Sequence, residues 1–376
     1  MCVFHKRTTR WRAAFLFFLS ALLLVLAFRP DPPLRLRRTL RCRQLLRTCP
    51  AKGVVFNAGL IAFAYDRLSF SNTVMELDRL ENHLLLVYRM ASSWWGAGSI
   101  LGVYLDSSSL TPMEDSTRVL FQSQMREDPR LFTHNGSLHL SYTMWGTGEP
   151  HAPVRFEASK SVFRHFPGHL VWQRTGFSPL TAAVTVGAVV DVMPRVGHNA
   201  NTSLHAPWEK NWGFFSRGEE LFVVYSIAPF SVYRLSTDSP PQGVLVAHET
   251  WSLPGLKNNL RGGTPPVLVD GLWYVFVHSA SMMPPPGTPR HLFYSVFAIT
   301  FFDSNFTVHR ATPKPLLAKR RPHVYFPCGA IYSMHAHKWL ISVGADDARI
   351  ELYEISSTAL HKLLHPVTTL QDSAMH

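Results

Sequence analysis

From about residue 51 the chain is a succession of short apolar runs separated by polar turns. Five runs recur: His83 to Arg89 (HLLLVYR), Leu138 to Thr143 (LHLSYT), Leu221 to Ile227 (LFVVYSI), Trp273 to Ser279 (WYVFVHS) and Trp339 to Asp346 (WLISVGAD). All five read as strands, and Leu138 to Thr143 follows a turn signal at Asn135-Gly136. Upstream of each lies a polar motif: Phe56-Asn57-Ala58-Gly59, Glu127 to Arg130, Glu209-Lys210-Asn211-Trp212, Arg261-Gly262-Gly263-Thr264-Pro265-Pro266, and Phe326-Pro327-Cys328-Gly329. From Asp128 to Tyr142, Lys210 to Tyr225, Thr264 to His278 and Pro327 to Val343 the separations are fourteen to sixteen residues, and an insertion stretches the first repeat. Recurrence every 50 to 80 residues or roughly so, with almost no helical periodicity, predicts an all-β, five-bladed β-propeller. In that architecture the innermost strands meet at one axis, so motifs scattered along the chain converge on one cavity. A β-sandwich with charged turns is the alternative.

The first fifty residues follow a different pattern. Lys6, Arg7, Arg10 and Arg12 precede an apolar run from Ala13 to Phe28, broken only by Ser20 and stopped by Arg29-Pro30-Asp31-Pro32-Pro33. The run is slightly short for a span, but Trp11 and snorkelling arginines extend it. No small-x-small cleavage site follows, which favours a retained transmembrane signal anchor over a cleaved signal peptide. The expected organisation is a cytosolic tail over 1–12, the anchor over 13–28, an Arg/Pro-rich stem over 29–50, the propeller over 51–366 and a C-terminal tail over 367–376. Seven arginines between Arg29 and Arg47 oppose a lumenal body by the charge rule. Sequons at Asn135, Asn201 and Asn305 favour it as glycosylation sites. The expectation is a single-pass type II protein of the Golgi or endoplasmic reticulum membrane with a lumenal catalytic domain. A mitochondrial presequence is the rival, although so continuous an apolar run is unlike an amphipathic transit helix.

Composition matters mainly through where the charge sits. The net charge is +12, yet residues 1–50 carry eleven Lys and Arg against Asp31 alone, leaving +2 for the remainder. A nearly neutral body excludes a nucleic-acid partner. An apolar share of 46%, with 12% aromatic, is ample for a packed core. Four cysteines are too few for a zinc module or disulfide scaffold, and Cys42 and Cys49 are near enough in sequence to bridge or to stay unpaired thiols. His335 and His337 read as a solvated hairpin turn. No GxGxxG, Walker, GxSxG or HExxH motif and no Asp-x-Asp occurs, so neither cofactor nor metal is expected.

The chemistry concentrates in Arg126-Glu127-Asp128-Pro129-Arg130, where two carboxylates and two guanidiniums precede apolar sequence. Such a cluster must pair internally or face a wet cavity or ligand. Asp128 is a candidate general acid, because Pro129 stiffens the turn beside it and nearby charges tune a carboxyl. A turn aspartate paired with Arg126 or Arg130 is the other reading. Arg89, Arg130, Lys210, Arg261 and His278 are candidate ligands for phosphate or another anion, each with a solvated or salt-bridged alternative. Trp208 and Trp212 flank Lys210 with indoles of the kind that stack on sugars, and Trp94, Trp95 and Trp145 could extend that platform, core packing being the alternative for each.

The ordered series Phe56-Asn57, Tyr88-Arg89, Glu127-Asp128-Pro129-Arg130, Lys210-Asn211, Gly263-Thr264-Pro265-Pro266, His278 and Gly344-Ala345-Asp346-Asp347 resembles glycoside hydrolase family 130, over about residues 54 to 355. That family, with the related β-1,2-mannosyltransferases of glycosyltransferase family 108, consists of five-bladed propellers acting on β-mannosides as phosphorylases, hydrolases and transferases. The resemblance implies Asp128 as proton donor, acting through a sugar hydroxyl. It implies a substrate site of Asn57, Arg89, Glu127, Arg130, Glu209, Lys210, Asn211, Arg261, Thr264, His278 and Asp347. The implied partners are a glycan or oligosaccharide acceptor and a phosphate, sugar phosphate or nucleotide sugar. Two motifs depart: the family's Asn-Pro is Asn57-Ala58 here, and its Tyr-Gly-Ala-Ala-Asp is Val343-Gly344-Ala345-Asp346-Asp347. An anchor, a short stem and a catalytic body together suggest a glycosyltransferase, with phosphorylase, hydrolase and non-catalytic glycan-binding propeller as alternatives.

Overall fold

Each of the five apolar runs becomes the second strand of a separate antiparallel sheet. The structure is a computed structural model that describes residues 34–40, 59–62, 83–91, 98–114, 117–124, 126–134, 137–144, 160–165, 190–191, 211–235, 243–256, 259–283, 291–318, 324–346 and 349–370. Strand β1 (Arg35–Leu40) comes first in the chain. The first sheet is β2 (Gly59–Ala62), β3 (His83–Ala91), β4 (Gly98–Asp106) and β5 (Arg118–Gln124), and the second is β6 (Arg126–His134), β7 (Ser137–Met144), β8 (Lys160–His165) and β9 (Val190–Asp191). The third runs β10 (Gly213–Arg217), β11 (Glu220–Ile227), β12 (Phe230–Leu235) and β13 (Gly243–Ser252). The fourth begins with β14 (Leu260–Arg261) and β15 (Val267–Val269), which both pair with β16 (Leu272–Met283), and continues through β17 (His291–Phe302) and β18 (Val308–Ala311). The fifth is β19 (Tyr325–Ser333), β20 (Lys338–Ala345) and β21 (Arg349–Ser356), completed by β1.

These sheets pack in sequence order through apolar layers. Phe132 of the second sheet meets Trp212, Phe214 and Leu221 of the third. Phe215, Phe222 and Phe230 of the third meet Trp273, Ile299 and Phe301 of the fourth. Tyr274 and Phe276 of the fourth meet Trp339 and Ile341 of the fifth. Leu352 of the fifth then packs with Leu84, Leu86 and Val103 of the first. The arrangement is mostly β and propeller-like. Full burial of each such aromatic or branched side chain is worth about 1.5–3 kcal/mol, which makes these layers the main source of stability. First strands lie together, β2 beside β6 and β19, and β6 beside β10.

Two stretches differ from expectation. Arg35–Leu40 lies within the span expected as stem, yet it pairs with β21 in register from Arg35↔Glu354 to Leu40↔Ile350. Leu40 is fully buried, and Arg37 Nη1 lies 2.6 Å from Glu354. The Arg-rich run conceals a strand because only its last residues face the core. At the other end a short helix, α1 (Ser357–Leu363), is capped by the Ser356 hydroxyl accepting from Ala359 N–H at 3.1 Å. Strands β22 (His365–Pro366) and β23 (Thr368–Leu370) then pair with β18 and β13, so part of the expected tail is also ordered into sheets. No helix among the described residues is long and apolar enough to cross a membrane, and the expected anchor at 13–28 lies outside them.

Candidate active site

The chemistry-bearing motif of the second sheet is shaped by a break in its own ladder. In the β6–β7 pairing Glu127 faces Thr143 and Arg130 faces Ser141, so Asp128 and Pro129 together oppose a single partner position. Proline has no N–H to give to the ladder, and a β-bulge absorbs it. Asp128 adopts φ 53°, a left-handed conformation that aspartate tolerates better than most residues. Bulges re-aim side chains. Asp128 is nonetheless 6% exposed, a buried carboxyl on a first strand.

Arg130, two residues on, is 2% exposed. Its Nε donates to the Gly263 carbonyl at 2.5 Å, Nη1 to the Asp128 carbonyl at 2.9 Å and Nη2 to Asn211 Oδ1 at 3.3 Å. The guanidinium lies 5.4 Å from the centroid of the Phe326 ring. It therefore touches motifs of four sheets. The structure contains no ion pair between Arg130 and the Asp128 carboxylate, so that form of the salt-bridge reading is ruled out; the Arg126 side chain lies outside the described residues.

Glycines make this convergence possible. A Cβ on Gly262 would sit 1.9 Å from the Asn211 carbonyl oxygen, and one on Gly263 would sit 2.1 Å from that of Phe276 and 2.9 Å from Pro327 Cγ. Asn211 itself has φ 72° and is buried. Thr264 is fully buried: its N–H donates to the Phe276 carbonyl at 2.9 Å and its hydroxyl accepts from Phe276 N–H at 3.1 Å. Its polar atoms thus stitch the Gly-Gly segment to β16.

His278, 1% exposed, is paired across the ladder with Arg261. Its Nδ1 bonds the Gly262 carbonyl at 2.8 Å; a carbonyl only accepts, so Nδ1 carries the proton. Its ring meets Phe326 at 4.7 Å and Tyr294 at 5.0 Å. Arg261 has an exposed side chain. Arg89 is 3% exposed on β3, which packs against β6. Burial pushes the neighbouring Tyr88 phenol well above its ordinary range, so it stays protonated.

The structure thus brings Asp128, Arg130, Asn211, Gly263, Thr264 and His278 into connected contact around Phe326. Asn57, Glu209, Lys210, Asp347, Trp94, Trp95, Trp145 and Trp208 lie outside the described residues, as does the Glu127 side chain. Trp212 is 4% exposed and packs 5.3 Å from Tyr225, a core position and no sugar platform. Among the sequons, Asn135 and Asn201 lie outside the described residues, and Asn305 sits exposed in the β17–β18 turn. His335 and His337 lie in the β19–β20 turn as expected. Phe326 and Tyr294 were not foreseen as site residues. Phe326 sits in a motif legible in sequence, whereas Tyr294 carries no local signal. Among the described residues no group of His, Cys, Asp or Glu is placed to hold a metal.

No protein-family model matches the sequence, and no curated protein matches it either. Solved structures do. The β-1,2-mannobiose phosphorylase from Listeria innocua, solved with β-1,2-mannobiose, superposes with a TM-score of 0.53 at 12% identity, covering 89% of this chain and 98% of that one. A structure from the GH130 family of mannoside phosphorylases, which contains glycoside hydrolases that target β-1,2 mannosidic linkages in Candida mannan, gives 0.51 at 8% identity over 88% and 96%. The fold is like that of the glycoside hydrolase family 130 structures. A GDP-Man-dependent mannosyltransferase from Leishmania mexicana matches more loosely, with a TM-score of 0.42 at 11% identity over 77% and 94%, and carries no weight here. At such identities the likeness is one of fold. Within that family-130-like fold, the connected contacts around Arg130 fall where the first strands meet.

Proposed function

We propose that the chain is a carbohydrate-active enzyme that transfers a β-mannosyl residue to or from a glycan, with Asp128 as general acid. The observation that carries this reading is the state of Asp128. It is buried on a bulged first strand of a family-130-like fold, and its carboxylate is left out of any ion pair with Arg130, which takes its carbonyl instead. With its carboxylate outside that pair, Asp128 is the group assigned to general acid catalysis. As donor, Asp128 protonates the departing glycosidic oxygen by way of a sugar hydroxyl, while the acceptor attacks the anomeric carbon. Arg89 and His278, with Lys210, are the groups assigned to an anionic acceptor or donor.

Phosphate, water or a sugar hydroxyl as acceptor would make the enzyme a phosphorylase, a hydrolase or a transferase. The apolar run at 13–28 favours the last, as a type II protein of the Golgi or endoplasmic reticulum membrane with the catalytic body in the lumen. The exposed turn position of Asn305 is compatible with glycosylation there.

The test is product analysis. The full chain is incubated with GDP-mannose, with mannose 1-phosphate, or with β-1,2-mannobiose with and without inorganic phosphate. A new mannoside, mannose 1-phosphate or free mannose identifies the acceptor. No turnover of any of these, with glycan binding retained, would overturn the reading in favour of a non-catalytic glycan-binding propeller.

A further inference from the structure

We propose that Arg130 is a positioning residue, which sets the direction of the Asp128 carboxyl by gripping the Asp128 carbonyl and is not itself a ligand for an anionic substrate. The inference rests on Asp128 being the proton donor. Three observations on Arg130 point the same way. Each of its three guanidinium nitrogens gives one N–H to an acceptor inside the protein, namely the Gly263 carbonyl, the Asp128 carbonyl and Asn211 Oδ1, which together use three of its five N–H donors. It is 2% exposed, and Phe326 covers its ring-facing side. All three acceptors are uncharged, so these bonds fix where the guanidinium sits and do not neutralise it.

That geometry closes over the bulge. The Arg130 backbone is fixed by its ladder position opposite Ser141, whose hydroxyl also donates to the Arg130 carbonyl at 3.4 Å. From this fixed point the side chain curls back two residues to the Asp128 carbonyl. A non-glycine residue in the left-handed region is sparsely populated, and return of Asp128 to a negative φ would turn its Cα–Cβ bond, and with it the carboxyl, while displacing its carbonyl. Nη1 opposes that rotation, while Nε and Nη2 anchor the guanidinium to the Gly-Gly segment and to Asn211. A lysine offers one point charge and cannot span acceptors on separate strands.

The test is a double-substitution cycle on the full chain, using whichever substrate the product analysis finds to be turned over. Arg130→Lys should lower kcat by about tenfold or more and leave KM for phosphate or sugar donor within about twofold. In the Asp128→Asn background the same substitution should change the residual rate by less than about twofold, because no proton donor remains to be misplaced. Equal losses in both backgrounds would mark a merely structural role, and a raised KM for phosphate or donor with kcat kept would mark an anion ligand. Either result overturns the proposal. If Arg130→Lys does not fold, Asn211→Gly keeps the left-handed backbone, removes the Oδ1 acceptor and should show the same pattern. Hydrogen exchange separates this proposal from the functional reading. Should the parent protein turn over nothing, the assignment of Asp128 as acid fails. The grip is then read from peptides spanning 126–134, which should exchange about tenfold faster in Arg130→Lys than in the parent, and unchanged exchange would overturn it.

Discussion

The seam between the third and fourth sheets and the place where the first strands meet are built from opposite materials. At the seam, Phe215 packs 4.6 Å from Trp273, Phe222 lies 5.0 Å from Phe306 and Phe230 lies 5.1 Å from Phe301, all in ordinary strand geometry except Phe306. Its polar atoms are few and locally paired, such as Trp273 Nε1 donating to Asp303 at 2.7 Å. Where the first strands meet, polar Asp128, Arg130, Asn211, Thr264 and His278 gather about Phe326, Asp128 and Asn211 are left-handed, and glycines admit backbone where a Cβ would clash. The first region has the makings of a stable core, and the second holds the residues to which we assign the chemistry. Strained, polar convergence is tolerated because the aromatic seams around it hold the strands in place.

Substitutions can break that division. The largest effect is expected from Asp128→Asn, which keeps size and hydrogen-bonding reach but cannot cycle a proton. Turnover should fall about 10² to 10⁴-fold, equivalent to about 3–5 kcal/mol of barrier, with little change in melting temperature. An Asn variant that keeps more than about a tenth of the rate would remove Asp128 from the chemistry. Phe301→Ala should do the reverse. It deletes a fully buried ring and should cost about 3–5 kcal/mol in denaturant unfolding, with activity per folded molecule retained.

Gly262→Ala sharpens the comparison because it tests stability and activity together within the second region. The new methyl must displace the Asn211 backbone, so we expect about 1–3 kcal/mol of destabilisation together with reduced turnover. Loss of stability alone would show that Asn211 and its contact to Arg130 do not matter to the site. The smallest effect concerns a turn remote from both. Asp106 accepts from the Ser108 hydroxyl at 2.6 Å and from Ser109 N–H at 2.7 Å, which hold its carboxyl down from 3.8 to about 2. A depressed carboxyl stabilises above its ordinary value and loses that contribution as pH falls through the folded one. Asp106→Ala should therefore cost less than about 1 kcal/mol near neutrality, given its exposure, and only a small remainder of that near pH 2. A difference from the parent that persists unchanged at pH 2 would rule out this account.

Much of the scaffold was legible in sequence because the second strands are apolar runs set between turn residues. The polar motifs upstream were legible for a related reason: Asp-Pro, Gly-Gly and Pro-Cys-Gly are residue types that a regular ladder rejects. What escaped is set by partners far away in the chain. RLRRTL gives no sign of a strand, since Arg35 and Arg37 are exposed, Arg38 is half-buried, and its meaning depends on β21. Arg130 is the same residue type whether it binds phosphate or carbonyls, and two of its three acceptors lie 81 and 133 residues downstream. The helix α1 is too short for periodicity, with Leu360 its only buried residue.

The pairing of β1 with β21 has a consequence for how the protein is made. The strand that leaves the ribosome first finds its partner only when residues 349–356 have followed, so completion of the fifth sheet waits for nearly the whole chain. Closing so long a loop adds little free energy but slows folding. Until then β1 is an unsatisfied edge, and its arginines give it the charge by which such edges resist pairing with other chains. The same logic sets where the chain can be cut. A truncation starting near residue 50 would bare β21 as an edge and uncover Ile350 and Leu352, both fully buried here, whereas one starting ahead of Leu34 keeps the sheet whole.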